Sequence, residues 1–309
     1  MARKLPPSFQ LSPEVERAQA QKQPLVALES TVITHGLPYP SNLTLAEDME
    51  NEVRGQGVVP ATIALLDGAV CVGLNPAQLL QLSQPGRGMR KISTRDYGAA
   101  IASGASGGTT VAGTMLAAYL AGIRVFATGG IGGVHHNISR RRQANYDISA
   151  DLPALAHIPM IVVCAGAKAI LNLPATLEYL ETWGVPVVGY QSDDFPAFYS
   201  RSSGLKTSAR AESPEEAARL AKAHWSLGLQ SAILVTVAPP EEVALPSELV
   251  NAAVRQALRE ARERRIRGPE VTPYLLERVR RLTRDQSLRA NLGLLLNNAR
   301  LAAQIARYI

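Results

Sequence analysis

The 309-residue chain is poor in aromatic residues (5%), has two cysteines and contains no long unbroken apolar run. Each shortage excludes something. A membrane-spanning helix needs about 18 to 20 consecutive apolar residues, and the greasiest segments here are interrupted well before that by polar residues, glycine or proline. The amino-terminal segment MARKLPPSFQLSPEVERAQAQ has basic residues but no apolar stretch behind them, so a secretory leader is not indicated and a cytoplasmic setting is expected. Cys71 and Cys164 lie inside apolar, strand-like stretches, where reduced thiols pack as small inert hydrophobes. Few aromatics interleave with the basic segments, which removes the stacking platforms of RNA-binding surfaces and argues against a nucleic-acid partner. The formal charge of +6 comes largely from Arg140, Arg141 and Arg142 and from the arginine-rich stretch 259–267, read as a solvated helix face. Such a balance also suits small anionic ligands, phosphates above all.

What is present is an ordinary globular composition, 46% hydrophobic and 19% charged. The length suits one large α/β domain or two small ones. Apolar runs at 25–28, 62–66, 125–128, 160–164, 187–189 and 232–237 are bounded by glycine or proline and alternate with helical patterns, which reads as βαβ units. Helix starts are signalled by Ser41, by Ser149, and by a capping box of Ser213 with Glu216. Residues 246–265 and 285–307 have three-to-four spacing of apolar residues, giving a helical C-terminal portion. The expected fold is an α/β/α sandwich with a mostly parallel central sheet and a helical C-terminal extension. One catalytic domain would span residues 25–309, preceded by an N-terminal arm or helix over residues 1–24. In such sheets ligands gather beyond the carboxyl ends of the strands.

That rule selects few residues. Glu29 ends a buried run and precedes His35 and several chain breakers; it is either a proton donor with a raised pKa or a carboxylate bonded to a loop amide. The stretch SGASGGTTVAGTM offers backbone amides around Ser106, Thr109 and Thr110 to a phosphate at a helix start, although small residues at this spacing also allow close packing. VFATGGIGGVHH is not a dinucleotide fingerprint, and His135 and His136 lack further ligands at zinc spacing. Asp147 and Asp151, four apart at a helix start, fit either a hard divalent ion or plain capping. Lys168 in IVVCAGAKAI follows an apolar strand and a glycine turn. Placed in the first turn of a helix, its amine would be pushed toward the neutral, nucleophilic form by the dipole and by burial; the alternative is a lysine whose stem carries the charge out to solvent.

Taken together, VALESTVITHGLPYP, KISTRDYGAAIASGASGGTTVAGTM, FATGGIGGVH, DISADL, VVCAGAKAILNLPATLEYLETWGVPVVGYQSDDFPAFYSRSSG and NLGLLLNNA resemble the pseudouridine-5'-phosphate glycosidase family, also called indigoidine synthase A-like, over about residues 25–305. The resemblance implies a homotrimeric, manganese-dependent enzyme that interconverts pseudouridine 5'-phosphate and water with uracil and ribose 5-phosphate. It makes Lys168 the nucleophile, Glu29 the proton donor and Asp147 the metal ligand. It places Ser149 and Asp151 near substrate, and further implies substrate contacts from Lys91, Val111, Thr128, His135 and Asn291. The segment NISRRRQANY between His135 and Asp147 is longer than the family's usual link. A Schiff-base aldolase acting on a sugar phosphate would use the same lysine, and a sugar kinase or a non-enzymatic sugar-phosphate sensor are further alternatives.

Overall fold

The computed structural model of the chain describes residues 5–86, 88–136, 147–266 and 268–309; Arg140, Arg141 and Arg142 lie outside the described residues. The strands are β1 (Phe9–Leu11), β2 (Leu25–Leu28), β3 (Val59–Leu66), β4 (Ala69–Val72), β5 (Arg90–Ile92), β6 (Gly107–Thr109), β7 (Val125–Ala127), β8 (Ile161–Cys164), β9 (Val187–Tyr190), β10 (Ala209–Ala211) and β11 (Ile233–Thr236). The helices are α1 (Pro13–Ala20), α2 (Ser41–Gly55), α3 (Pro76–Ser83), α4 (Tyr97–Ala102), α5 (Val111–Leu120), α6 (Asp151–His157), α7 (Leu173–Thr182), α8 (Pro214–Ser226), α9 (Ser247–Glu263), α10 (Val271–Leu282) and α11 (Gln286–Ala306).

The central sheet runs in the order β3-β2-β7-β8-β11-β9-β10, and every neighbouring pair in that series is parallel. Strands covered on both faces read as continuous apolar runs rather than alternating ones. The segments IVVC of β8 and ILVT of β11 are accordingly buried throughout. Strand β3 is the bend of the molecule. Its residues 59–62 pair in parallel with β2, and residues 63–66 turn antiparallel to β4 through a tight hairpin at Asp67 and Gly68, whose φ angles are 49° and 79°. From this bend hang β6, antiparallel to β3, and β5, parallel to β6.

Helix α11 packs with α2 and α8 over β2, β7 and β8, while α5, α6 and α7 follow one another in the second helical layer. The segment VAGTMLAAYL of α5 is apolar nearly all round, as a helix enclosed by the core must be. In the C-terminal portion, α9 and α10 pack on each other, tied by Arg278 to Glu260 through bonds of 2.6 and 2.8 Å. The N-terminal arm packs onto the domain. Strand β1 pairs with β4, Phe9 opposite Val70, and Val15 and Ala18 of α1 are fully buried.

The expected helix starts differ in detail. Helix α2 begins at Ser41 itself, with Pro40 in the cap position. Ser213 caps α8 through the Glu216 N–H at 3.2 Å, but the Glu216 carboxylate accepts from the Glu212 N–H at 2.8 Å, so the reciprocal half of the box closes one residue early. Cys71 and Cys164 are free and buried, and no helix among the described residues is long and apolar enough to cross a membrane.

Candidate active site

Three neighbouring strands, β2, β7 and β8, end side by side, and each is followed within one to four residues by a candidate site residue. Glu29 follows β2 and is 7% exposed. Thr128 follows β7, is fully buried, and donates its hydroxyl to Glu29 Oε1 in a short bond. The segments after β7 and β8 then run alongside each other, with Ile131 bridging Ala167 and the Lys168 N–H donating to the Ile131 carbonyl at 3.1 Å. Lys168 is half-buried at this edge. It is not in a helix, contrary to expectation: α7 starts at Leu173 and is capped by Asn172, whose side chain accepts the Ala175 N–H at 3.2 Å. The dipole argument for Lys168 therefore falls. Its electrical surroundings are set by neighbouring side chains, since its charge acts on Glu29, Lys91 and His135.

Lys91 reaches the cleft from β5, where it sits opposite Gly108 of β6. Its side chain is exposed as a whole, yet its ammonium is held below the ordinary lysine value, first by loss of water around it and then by Lys168. Burial pushes the Glu29 carboxyl above its usual range; Lys168, the Thr128 hydroxyl and Lys91 pull it back, and Asp151 adds to the rise. The carboxyl is thereby biased toward the protonated form that a donor needs.

Asp151 explains the small residues of SGASGGTTVAG. Its Oδ1 accepts the Ala112 N–H at 2.9 Å at the start of α5, and its Oδ2 accepts the Gly132 N–H at 2.8 Å. The N-terminus of α5 thus holds an anion, but the anion belongs to the protein. Gly132 must be glycine, because a Cβ there would meet Ser149 and would stand 2.7 Å from Asp151 Oδ2. Ser149 accepts the Asp151 N–H at 3.2 Å and so steadies the first turn of α6.

The structure does not bring Ser106, Thr109 and Thr110 together as a phosphate cradle. Ser106 bonds to Asp67 at 3.0 Å at the β3–β4 turn. The Thr109 hydroxyl is fully buried on the Ile63 carbonyl at 2.8 Å, and Thr110 caps α5 through the Gly113 N–H at 3.2 Å. Gly108 serves close packing instead, since a Cβ there would lie 2.6 Å from the Ser30 carbonyl. Val111, the first residue of α5, is 1% exposed, which leaves its main chain rather than its side chain for any ligand.

His135 is half-buried, with its N–H on the Asp147 carbonyl at 3.0 Å; burial pushes its imidazole below the ordinary value, and Asp147 opposes this. Asp147 itself is exposed. Among the described residues no three His, Cys, Asp or Glu side chains converge to hold a metal. One exposed carboxylate fits only a hard cation that keeps most of its water, which is the habit of Mg²⁺ and Mn²⁺ rather than Zn²⁺. Asn291 lies on α11, two turns before Asn298 on the same face; Asn298 is fully buried and donates to the Thr128 carbonyl at 2.8 Å. Asn298 was not singled out from the sequence, although its place in LLLNNA, seven residues and so two helical turns after Asn291, was the available signal.

A family model described as indigoidine synthase A like protein matches residues 14–308. The chain belongs to this family. Its relatives include pseudouridine-5'-phosphate glycosidases of Paracoccus denitrificans, 52% identical over 98% of both chains, of Caldanaerobacter subterraneus, 50% identical over 96% of this chain and 95% of the relative, and of Escherichia coli, 48% identical over 98% and 96%. Among solved structures, the prealnumycin C-glycosynthase AlnA in complex with ribulose 5-phosphate is 40% identical with a TM-score of 0.88, covering 97% of this chain and 96% of that one. An indigoidine synthase A-like protein of Thermotoga maritima is 31% identical with a TM-score of 0.86, covering 96% and 95%.

The raised pKa of Glu29 in this family member has a consequence for stability. The folded carboxyl titrates above its ordinary value of 4.5, so the folded state gains from the bound proton below that pH and loses this gain as pH rises through the folded value. Glu29→Gln, which stays neutral and can still accept from Thr128, should match the parent's Tm near pH 4.5 and exceed it increasingly toward neutral pH. Thermal melts across that range check the sign.

Proposed function

We propose that the chain is a pseudouridine-5'-phosphate glycosidase, which cleaves the carbon–carbon glycosidic bond reversibly to uracil and ribose 5-phosphate. The observation that carries this reading is that the charges of Lys168 and Lys91 act on the buried Glu29 carboxyl, in a chain about half identical to glycosidases of that name over nearly its whole length. AlnA, bound to ribulose 5-phosphate, supports a five-carbon sugar phosphate as the shared ligand.

The leaving atom is carbon 5 of uracil, which departs poorly from an intact ribosyl ring, so protonating a leaving oxygen as ordinary glycosidases do is not enough. Ring opening breaks the bond between C1' and the ring oxygen, which takes a proton with Glu29 assisting. The Lys168 amine then bonds to C1'. When the C1'–C5 bond breaks, its electron pair stays with C5, which is protonated as uracil leaves, and the lysine nitrogen forms a double bond to C1'. Water hydrolyses this imine, releasing ribose 5-phosphate and the free amine. Lys91 takes the 5-phosphate, because the α5 terminus is already shared with Asp151, and the Val111 main chain and Ser149 contact the uncharged part of the substrate. His135 and Asn291 contact the nucleobase and sugar, and the fully buried Thr128 acts through Glu29.

Asp147 would hold a hydrated Mn²⁺, which supplies positive charge and ordered water when bound. The assembly is taken to be a homotrimer working in the cytoplasm, a setting consistent with the free thiols of Cys71 and Cys164.

Incubation with ribose 5-phosphate and borohydride, followed by peptide mass mapping, should place one reduced adduct on Lys168. Active enzyme that labels elsewhere, or not at all, contradicts the imine. Asp147→Asn should weaken Mn²⁺ binding by roughly tenfold or more, read by electron paramagnetic resonance of free Mn²⁺. Unchanged binding removes Asp147 as the ligand.

A further inference from the structure

Where α11 crosses β7 and β8 its buried side chains are apolar, with Leu294, Leu295, Ala299 and Ala302 around a fully buried Asn298. Asparagine is a weak helix former, and an amide in such surroundings is costly unless both of its ends are bonded. Only one end is. Nδ2 donates to the carbonyls of Thr128 at 2.8 Å and Gly129 at 3.4 Å, while Oδ1 has no partner among the described residues. Leucine would fill the space without a stranded acceptor, so packing does not account for the amide.

The two carbonyls account for it. Thr128 carries the hydroxyl that donates to Glu29, and its own N–H is fixed on the Val163 carbonyl of β8 at 3.0 Å. The Gly129 carbonyl also accepts the Ala165 N–H at 2.9 Å, at the start of the segment that leads to Lys168. One amide on α11 therefore grips the peptide that lies between the proton donor and the nucleophile.

We propose that Asn298 is a positioning residue, which clamps the Thr128–Gly129 peptide so that the Thr128 hydroxyl stays on Glu29 during turnover. This rests on Glu29 being the proton donor of a pseudouridine-5'-phosphate glycosidase. The groups that face Glu29 are Thr128, Lys168, Lys91 and Asp151. Asn298 adds no charge to this set, so a pH profile altered by its substitution reports geometry and not a lost charge.

The test is a double-mutant cycle on uracil release from pseudouridine 5'-phosphate, at a temperature where every variant is folded by circular dichroism. Asn298→Leu should lower kcat by about 10- to 100-fold with KM within about threefold of the parent, and should displace a limb of the kcat pH profile. Thr128→Val should do the same, and the double variant should be no slower than the slower single one. A kcat and pH profile like the parent's for Asn298→Leu, or fully additive losses with Thr128→Val, overturns the proposal. If Asn298→Leu does not fold, Asn298→Ala is read by the same criteria. Normal uracil release by Glu29→Ala would instead remove the underlying function of Glu29, whereas an inactive Glu29→Ala beside a parent-like Asn298→Leu removes the clamp alone.

Discussion

Two carboxylates and two ammonium groups meet at the carboxyl edge of the sheet, and the architecture there is organised by the need to satisfy charge where water is scarce. Glu29 and Asp151 are 7% and 5% exposed, and a carboxylate buried without partners is costly. Asp151 is satisfied by main-chain N–H groups from two separate segments, Ala112 and Gly132, and so pins the start of α5 to the glycine turn after β7. Glu29 has fewer donors and is biased toward the neutral acid. Asp151 thus orders the backbone, while burial biases the Glu29 carboxyl toward its protonated form.

The same arrangement decides where an anionic substrate can bind. A helix N-terminus is a ready anion site, but α5 already faces the Asp151 carboxylate, which repels a phosphate brought to the same amides. In the proposed reading a sugar phosphate places its charge nearer Lys91, on the β5 side, with its carbonyl carbon toward the β8 edge that bears Lys168. The bend of β3 makes this possible. By carrying β6 and β5 out of the main sheet it sets Lys91 opposite the strand ends rather than among them.

Much of this was legible in the sequence. The parallel strands announce themselves because burial on both faces leaves continuous apolar runs, and Glu29 and Lys168 are found by looking one to four residues past two of them, whereas Thr128 came with the family resemblance. Two readings failed for identifiable reasons. Lys168 was placed in a helix because it follows an apolar strand and a glycine turn, although Asn172, Leu173 and Pro174 form a cap with proline in the first turn and mark the true start. The phosphate cradle failed because the anion at α5 comes from Asp151, 39 residues away, a pairing that no local pattern reveals. Asn298 escaped notice for a similar reason, its partner Thr128 lying 170 residues earlier in the chain.

Everything in the chemistry depends on the amine of Lys168 forming a bond to the opened pentose. The most direct measurement is single-turnover release of uracil by Lys168→Met, shown to be assembled like the parent and to bind pseudouridine 5'-phosphate. The account predicts bound substrate and no uracil above the uncatalysed rate. Release at the parent's rate would contradict it.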